Sequence, residues 1–104
     1  MGMVENLEKM LENGRDDSML RFGLGSAYFR QENFSAAVVN LKACLERDST
    51  YSAAYKLLGK AYLKQDNKVE AVKIFEKGIQ IADRQGDKQS RKEMQVFLRK
   101  VQKI

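Results

Sequence analysis

Lys56, Lys60 and Lys64 recur every four residues, so on a helix their three ammonium groups lie along one side, stacked turn upon turn. Such a row repels itself unless it is screened or paired, and it suits an acidic ligand. The competing reading is a solvated face on which Lys60 and Lys64 pair with nearby acids such as Asp66. Phe22 and Phe29 stand seven apart with Ser26 between them; with Met19 they form either an apolar strip that grips side chains or ordinary core covered by neighbouring helices. Burial of Phe22 separates these two readings.

Chemistry beyond binding finds little material. The chain has no His and a single Cys, which rules out an intrachain disulfide and removes triads and zinc sites that need imidazole. Cys44 lacks a histidine or an evident cation to activate it and reads as a small packed thiol. The pair Asp16-Asp17 precedes a helix and serves capping and the helix dipole better than acid–base work. Tyr28 and Tyr62 read as core, and no glycine-rich loop cradles a phosphate. The expectation is a protein that is not an enzyme, with no catalytic residue, no metal and no cofactor.

The elements that would position these side chains follow from composition and from a repeat. With 104 residues, 43% hydrophobic and 32% charged, no Pro, no Trp and only 7 Gly, the chain is long enough for one domain and leans to helix. Laid on itself at an offset of 34, it aligns Leu24-Gly25 with Leu58-Gly59, Ala27-Tyr28 with Ala61-Tyr62, Gln31 and Asn33 with Gln65 and Asn67, and Ala37-Val38 with Ala71-Val72. Leu41 falls on Phe75, Cys44 on Gly78 and Leu45 on Ile79. That many coincidences at one offset imply a duplicated helical hairpin. Gly costs about 0.8–1.0 kcal/mol relative to Ala inside a helix, so its recurrence at Gly25 and Gly59 implies a neighbour too close for a Cβ. Asn33 and Asn67, where the paired helices part, either take the left-handed conformation or cap the next helix.

These motifs, Leu24-Gly25-x-x-Tyr28 with Ala37 and Leu41, and Leu58-Gly59-x-x-Tyr62 with Ala71 and Phe75, resemble the tetratricopeptide repeat, a 34-residue helix–turn–helix unit. Three places depart from it: the usual early Trp is Arg21 and Tyr55, the turn Gly is Glu32 and Asp66, and the closing Pro is Ser49 and Asp83. Without Pro the second helix of each unit is free to run on. The predicted fold is all-α, a right-handed antiparallel solenoid of about six helices near 3–13, 17–31, 34–47, 52–65, 68–84 and 87–102, forming a single domain over 1–104. Within it, residues 3–13 are expected as a half-repeat cap, 18–51 and 52–85 as two repeats, and 87–103 as a capping helix with a shifted start, bearing Met94, Phe97, Leu98 and Val101 on one stripe.

The resemblance implies a concave groove lined by the first helix of each unit, in which members of the family mostly bind peptides. The helix faces left over after core assignment put Met19, Phe22, Ser26, Phe29 and Arg30 there from one helix, and Ala53, Lys56, Lys60, Leu63 and Lys64 from the next. Some members clamp the carboxylates of chaperone tails with Lys and Asn; Phe22, Ser26 and Leu57 stand at those places here, so that specificity is not expected. The leading expectation is an adaptor for a protein or peptide partner, acidic if the lysines act. Residues 87–104 hold six Lys or Arg against Asp87 and Glu93, whereas the first 14 hold Glu5, Glu8 and Glu12 against Lys9. One alternative is therefore weak nucleic-acid binding through Lys88, Arg91, Lys92, Arg99, Lys100 and Lys103, disfavoured because no stacking pair or recognition motif accompanies them. Another is weak self-assembly through the solenoid ends, using Val96 or Ile104. No run approaches a membrane span and the acidic start lacks a signal-peptide pattern, so the expected place is the cytoplasm, away from membranes.

Overall fold

A computed structural model of the chain describes residues 2–103. These form six α-helices and no strand: α1 (Met3–Glu12), α2 (Ser18–Arg30), α3 (Phe34–Arg47), α4 (Ser52–Lys64), α5 (Lys68–Gln85) and α6 (Lys88–Gln102). The protein is an all-α helical repeat, and each helix boundary falls within one residue of that read from the sequence.

Short polar side chains set the helix starts. The Asp17 carboxylate accepts from the Leu20 N–H at 2.8 Å, Asn33 from Ala36 and Asn67 from Glu70 at 3.3 Å each, and Asp87 from Ser90 at 3.1 Å, satisfying donors that a first helical turn leaves open. The two asparagines are thus caps. The left-handed residues at the hairpin turns are instead Glu32 and Asp66, with φ of 61° and 60°, where the repeat usually has glycine. α5 runs to 18 residues against 14 for α3. It stops where Gly86 turns left-handed at φ 72°.

Packing explains the glycines. A Cβ on Gly25 would sit 2.6 Å from Leu41 Cγ, and one on Gly59 would sit 2.4 Å from the Phe75 ring. Each hairpin therefore closes with a large side chain of its second helix pressed onto bare backbone of its first. Leu24, Leu41, Leu58, Phe75 and Met94 are all buried. Cys44 is fully buried, and burial pushes its thiol up to about 11, the inert state expected of it.

At the place of the missing Trp, Arg21 donates to the Asp16 carboxylate at 2.8 and 3.0 Å and to Asn40 Oδ1 at 2.9 Å. Arg47 reaches the same carboxylate at 2.6 Å. Asp16 thereby bridges α2 and α3, and only Asp17 of the acidic pair acts as a cap. Hydrogen bonding from Arg21, with Arg47 adding to it, holds the Asp16 carboxyl down at about 2. Tyr28 ties α2 back to α1, donating its hydroxyl to Glu8 at 2.7 Å, and that hydrogen bond raises its pKa.

The helices fall into two rows. α4 touches both α2 and α6, whereas α3 and α5 make no close backbone approach to each other. Helices that touch along one row and splay along the other bend the stack, with α2, α4 and α6 on the inside of the curve.

Candidate partner-binding site

The inner row carries the lysine ladder, and its three members stand in three different environments. The Lys60 ammonium lies over two rings at once, 5.6 Å from the centroid of Phe29 on α2 and 5.7 Å from that of Phe97 on α6. Both distances are within the ~6 Å over which a ring face attracts a cation. Lys56, one turn back, faces the Glu93 carboxylate, with both oxygens 3.3 Å away. Lys64, one turn on, is exposed and has no ion-pair partner among the described residues. Asp66 pairs with neither Lys60 nor Lys64.

The apolar strip divides as well. Phe22 is half-buried, its ring stacked on Tyr51 at 4.9 Å, so it belongs to the edge of the core and offers only part of its surface. Phe29 is half-buried, edge-on to Phe34 at 5.3 Å with Lys60 above it. Met19 is 68% exposed. Ser26, Ala53 and Leu63 are half-buried, Leu63 packing on the core. Arg30 is exposed and turns toward α1, with Nη2 3.3 Å from Met3 Sδ. The structure thus gathers Phe29, Lys56, Lys60 and Lys64 on neighbouring helices, leaves Met19 in solvent and draws Arg30 away.

Glu93 and Phe97 of α6 share this face and were missed as site residues. The signal was a slipped register: α6 starts at Lys88, 36 residues after α4 starts at Ser52. At that spacing Ser90 falls on Ala54, Met94 on Leu58 and Leu98 on Tyr62, so α6 occupies the place of another first helix. Asp87 fixes its start against α4 by accepting from the Ser52 hydroxyl at 2.6 Å. That bond, with those from Ser90, lowers the Asp87 pKa.

On the basic C-terminal helix, Arg91 is spent on Asp83 at 2.7 Å, while Lys88, Lys92, Arg99, Lys100 and Lys103 are exposed. Val96 is 41% exposed; Ile104 lies outside the described residues. No group of three His, Cys, Asp or Glu among the described residues could hold a metal ion, and no helix there is long and apolar enough to cross a membrane.

A family model described as tetratricopeptide repeat matches residues 28–88. A TPR repeat-containing protein of Pseudomonas aeruginosa, PA0015, is 46% identical over 99 residues, which is 95% of this chain and 94% of that protein. The solution structure of protein BPP2914 from Bordetella parapertussis is 43% identical with a TM-score of 0.87, covering 99% of this chain and 90% of the other. The crystal structure of a tetratricopeptide repeat domain protein from Salinibacter ruber is 26% identical with a TM-score of 0.79, covering 85% of this chain and 98% of that one.

Proposed function

We propose that this chain, which belongs to the tetratricopeptide repeat family, is a non-catalytic adaptor that holds an acidic segment of a partner protein against α2, α4 and α6. Repeats of this family generally mediate protein–protein interaction, and proteins built from them are generally scaffolds. The observation that carries the finer reading is the state of the ladder: of its three lysines only Lys56 has a carboxylate partner among the described residues, that of Glu93. Lys60 is held upright between two rings, so its charge is already positioned and little side-chain entropy remains to be lost on binding. Lys64 is free to swing toward a carboxylate. Met19, the exposed edge of Phe22 and Leu63 supply apolar contact beside the charges.

Titrating the isotope-labelled chain with a short Glu-rich peptide carrying one Phe tests this by NMR. Amide shifts should cluster on 56–64 and on Phe29 and Phe97, and Lys64→Glu should weaken binding roughly tenfold. Binding should also weaken as salt rises from about 50 mM, because exposed charges are screened within ~10 Å at about 0.1 M. Shifts confined to other faces, or affinity indifferent to both Lys64→Glu and salt, would sink the assignment.

A further inference from the structure

The lysine ladder runs along one helix, but a second row of cations runs across three. Arg30, Lys64 and Lys100 are each the thirteenth residue of their helices, α2, α4 and α6. The spacing that sets Met94 on Leu58 sets Lys100 on Lys64 as well, and the 34-residue repeat sets Lys64 on Arg30. These helices run parallel on the inner row, with α4 touching both others, so the three charges stand side by side at one level of the face. The helix dipole favours a cation in a last turn, but it does not require the same face three times over.

All three side chains are exposed, and none has an ion-pair partner among the described residues. Glu32 and Asp66, the acids just beyond α2 and α4, pair with none of them. Arg30 donates to Met3 Sδ at 3.3 Å, a weak acceptor that a carboxylate displaces. One residue earlier on each helix stand Phe29, Leu63 and Arg99, so the row has an apolar edge over α2 and α4 and a second cation over α6.

The spacing of the row selects a ligand conformation. Packed helices lie about 8–10 Å apart. A polyproline II chain has three residues per turn and rises ~3.1 Å per residue, so every third side chain returns to one face after roughly 9 Å. An extended strand returns after about 6–7 Å and an α-helix after one turn of ~5.4 Å. Of the three, only the polyproline turn matches the helix spacing one to one.

Resting on the acidic-segment reading above, we infer that the segment crosses α2, α4 and α6 as a polyproline II strand acidic at every third residue, with Arg30, Lys64 and Lys100 each meeting one carboxylate. Two peptides of identical composition test this: three Glu set in proline, either at every third position or consecutively, titrated into the isotope-labelled chain. The spaced peptide should bind about tenfold more tightly and shift the amides of Arg30, Lys64 and Lys100 together. Arg30→Glu and Lys100→Glu, at exposed positions, should keep the thermal midpoint within a few degrees and each weaken the spaced peptide about tenfold. Replacing one terminal Glu of that peptide by Lys should rescue Arg30→Glu, and replacing the opposite terminal Glu should rescue Lys100→Glu. Indifference to either substitution, rescue by neither end, or rescue of both variants by the same end would overturn the crosswise register. Equal affinity for the two peptides would overturn it too, while binding of the Glu-rich peptide carrying Phe would still leave the acidic-segment reading standing.

Discussion

Replacing Gly59 by alanine tests the hairpin closure that positions the ladder. The added methyl would lie 2.4, 2.5 and 2.8 Å from three carbons of the Phe75 ring, all well short of the ~3.5–4.0 Å of a comfortable carbon contact. The ring is fully buried and stacked on Phe97 at 5.7 Å, so it retreats only by pushing α6. Overpacking of this kind costs roughly 1–3 kcal/mol, and the unyielding ring puts Gly59 toward the upper end; the gain in helix propensity returns about 0.8–1.0 kcal/mol. The net is a loss of about 1–2 kcal/mol, or a midpoint about 5–15 °C lower for a domain of this size. Gly23 provides the control within the adjacent first helix, since its methyl would sit 3.5 Å from Leu7 Cδ1 in ordinary contact. Gly23→Ala therefore keeps most of the propensity gain and should raise the midpoint by a few degrees. Thermal and urea melts followed by circular dichroism at 222 nm read both. Opposite signs are expected; a Gly59→Ala protein as stable as the parent, or a Gly23→Ala protein damaged as badly, refutes the close-approach argument.

Three further outcomes follow from named contacts. Glu32 holds a left-handed φ of 61° at a cost that glycine does not bear, so Glu32→Gly should stabilise by about 0.5–1 kcal/mol in urea melts, and Asp66→Gly by less because Asp tolerates that region better. The Asp16 carboxyl is depressed from 3.8 to about 2 in the folded chain; a lowered folded value gives stability that is present above the unfolded pKa and lost as pH falls through the folded one. Asp16→Asn should accordingly lower the midpoint by a few degrees at neutral pH, with the difference closing between about pH 4 and pH 2. Cys44, with its thiol pushed up to about 11 by burial, should resist iodoacetamide at pH 8 in the native chain and react fully in denaturant; rapid native labelling by mass spectrometry would contradict its place in the core.

Where the sequence was legible, a packing constraint had left residue identities behind. Gly25 and Gly59 announced close approach because no other side chain fits there, and the identities 34 apart carried the hairpins with them. Asp16 was harder to read: its neighbour Asp17 has the capping role, while Asp16 depends on Arg21 and on Arg47, the latter 31 residues away. Arg21 itself shows how a repeat tolerates losing its aromatic, by filling the place with a guanidinium that bonds Asp16 and the buried Asn40. The lysine ladder was visible as spacing, but its chemistry was not. What makes Lys60 different from Lys64 is Phe97, brought beside it by a helix whose register had slipped by two residues.

That slip also decides how the stack can meet other molecules. α5 continues past the place of the absent Pro until Gly86 turns it, and α6 then starts two residues late for the 34-residue period. At the shifted spacing the position of Gly59 is taken by Gln95 and that of Tyr55 by Arg91, the former exposed and the latter bonded to Asp83. A second helix could not seat a Leu or Phe on Gln95 as Leu41 and Phe75 seat on glycine, because the side chain fills the space that the closure requires. End-to-end stacking through the open side of α6, with Val96 as its apolar contact, therefore lacks the close fit that joins the hairpins inside the chain.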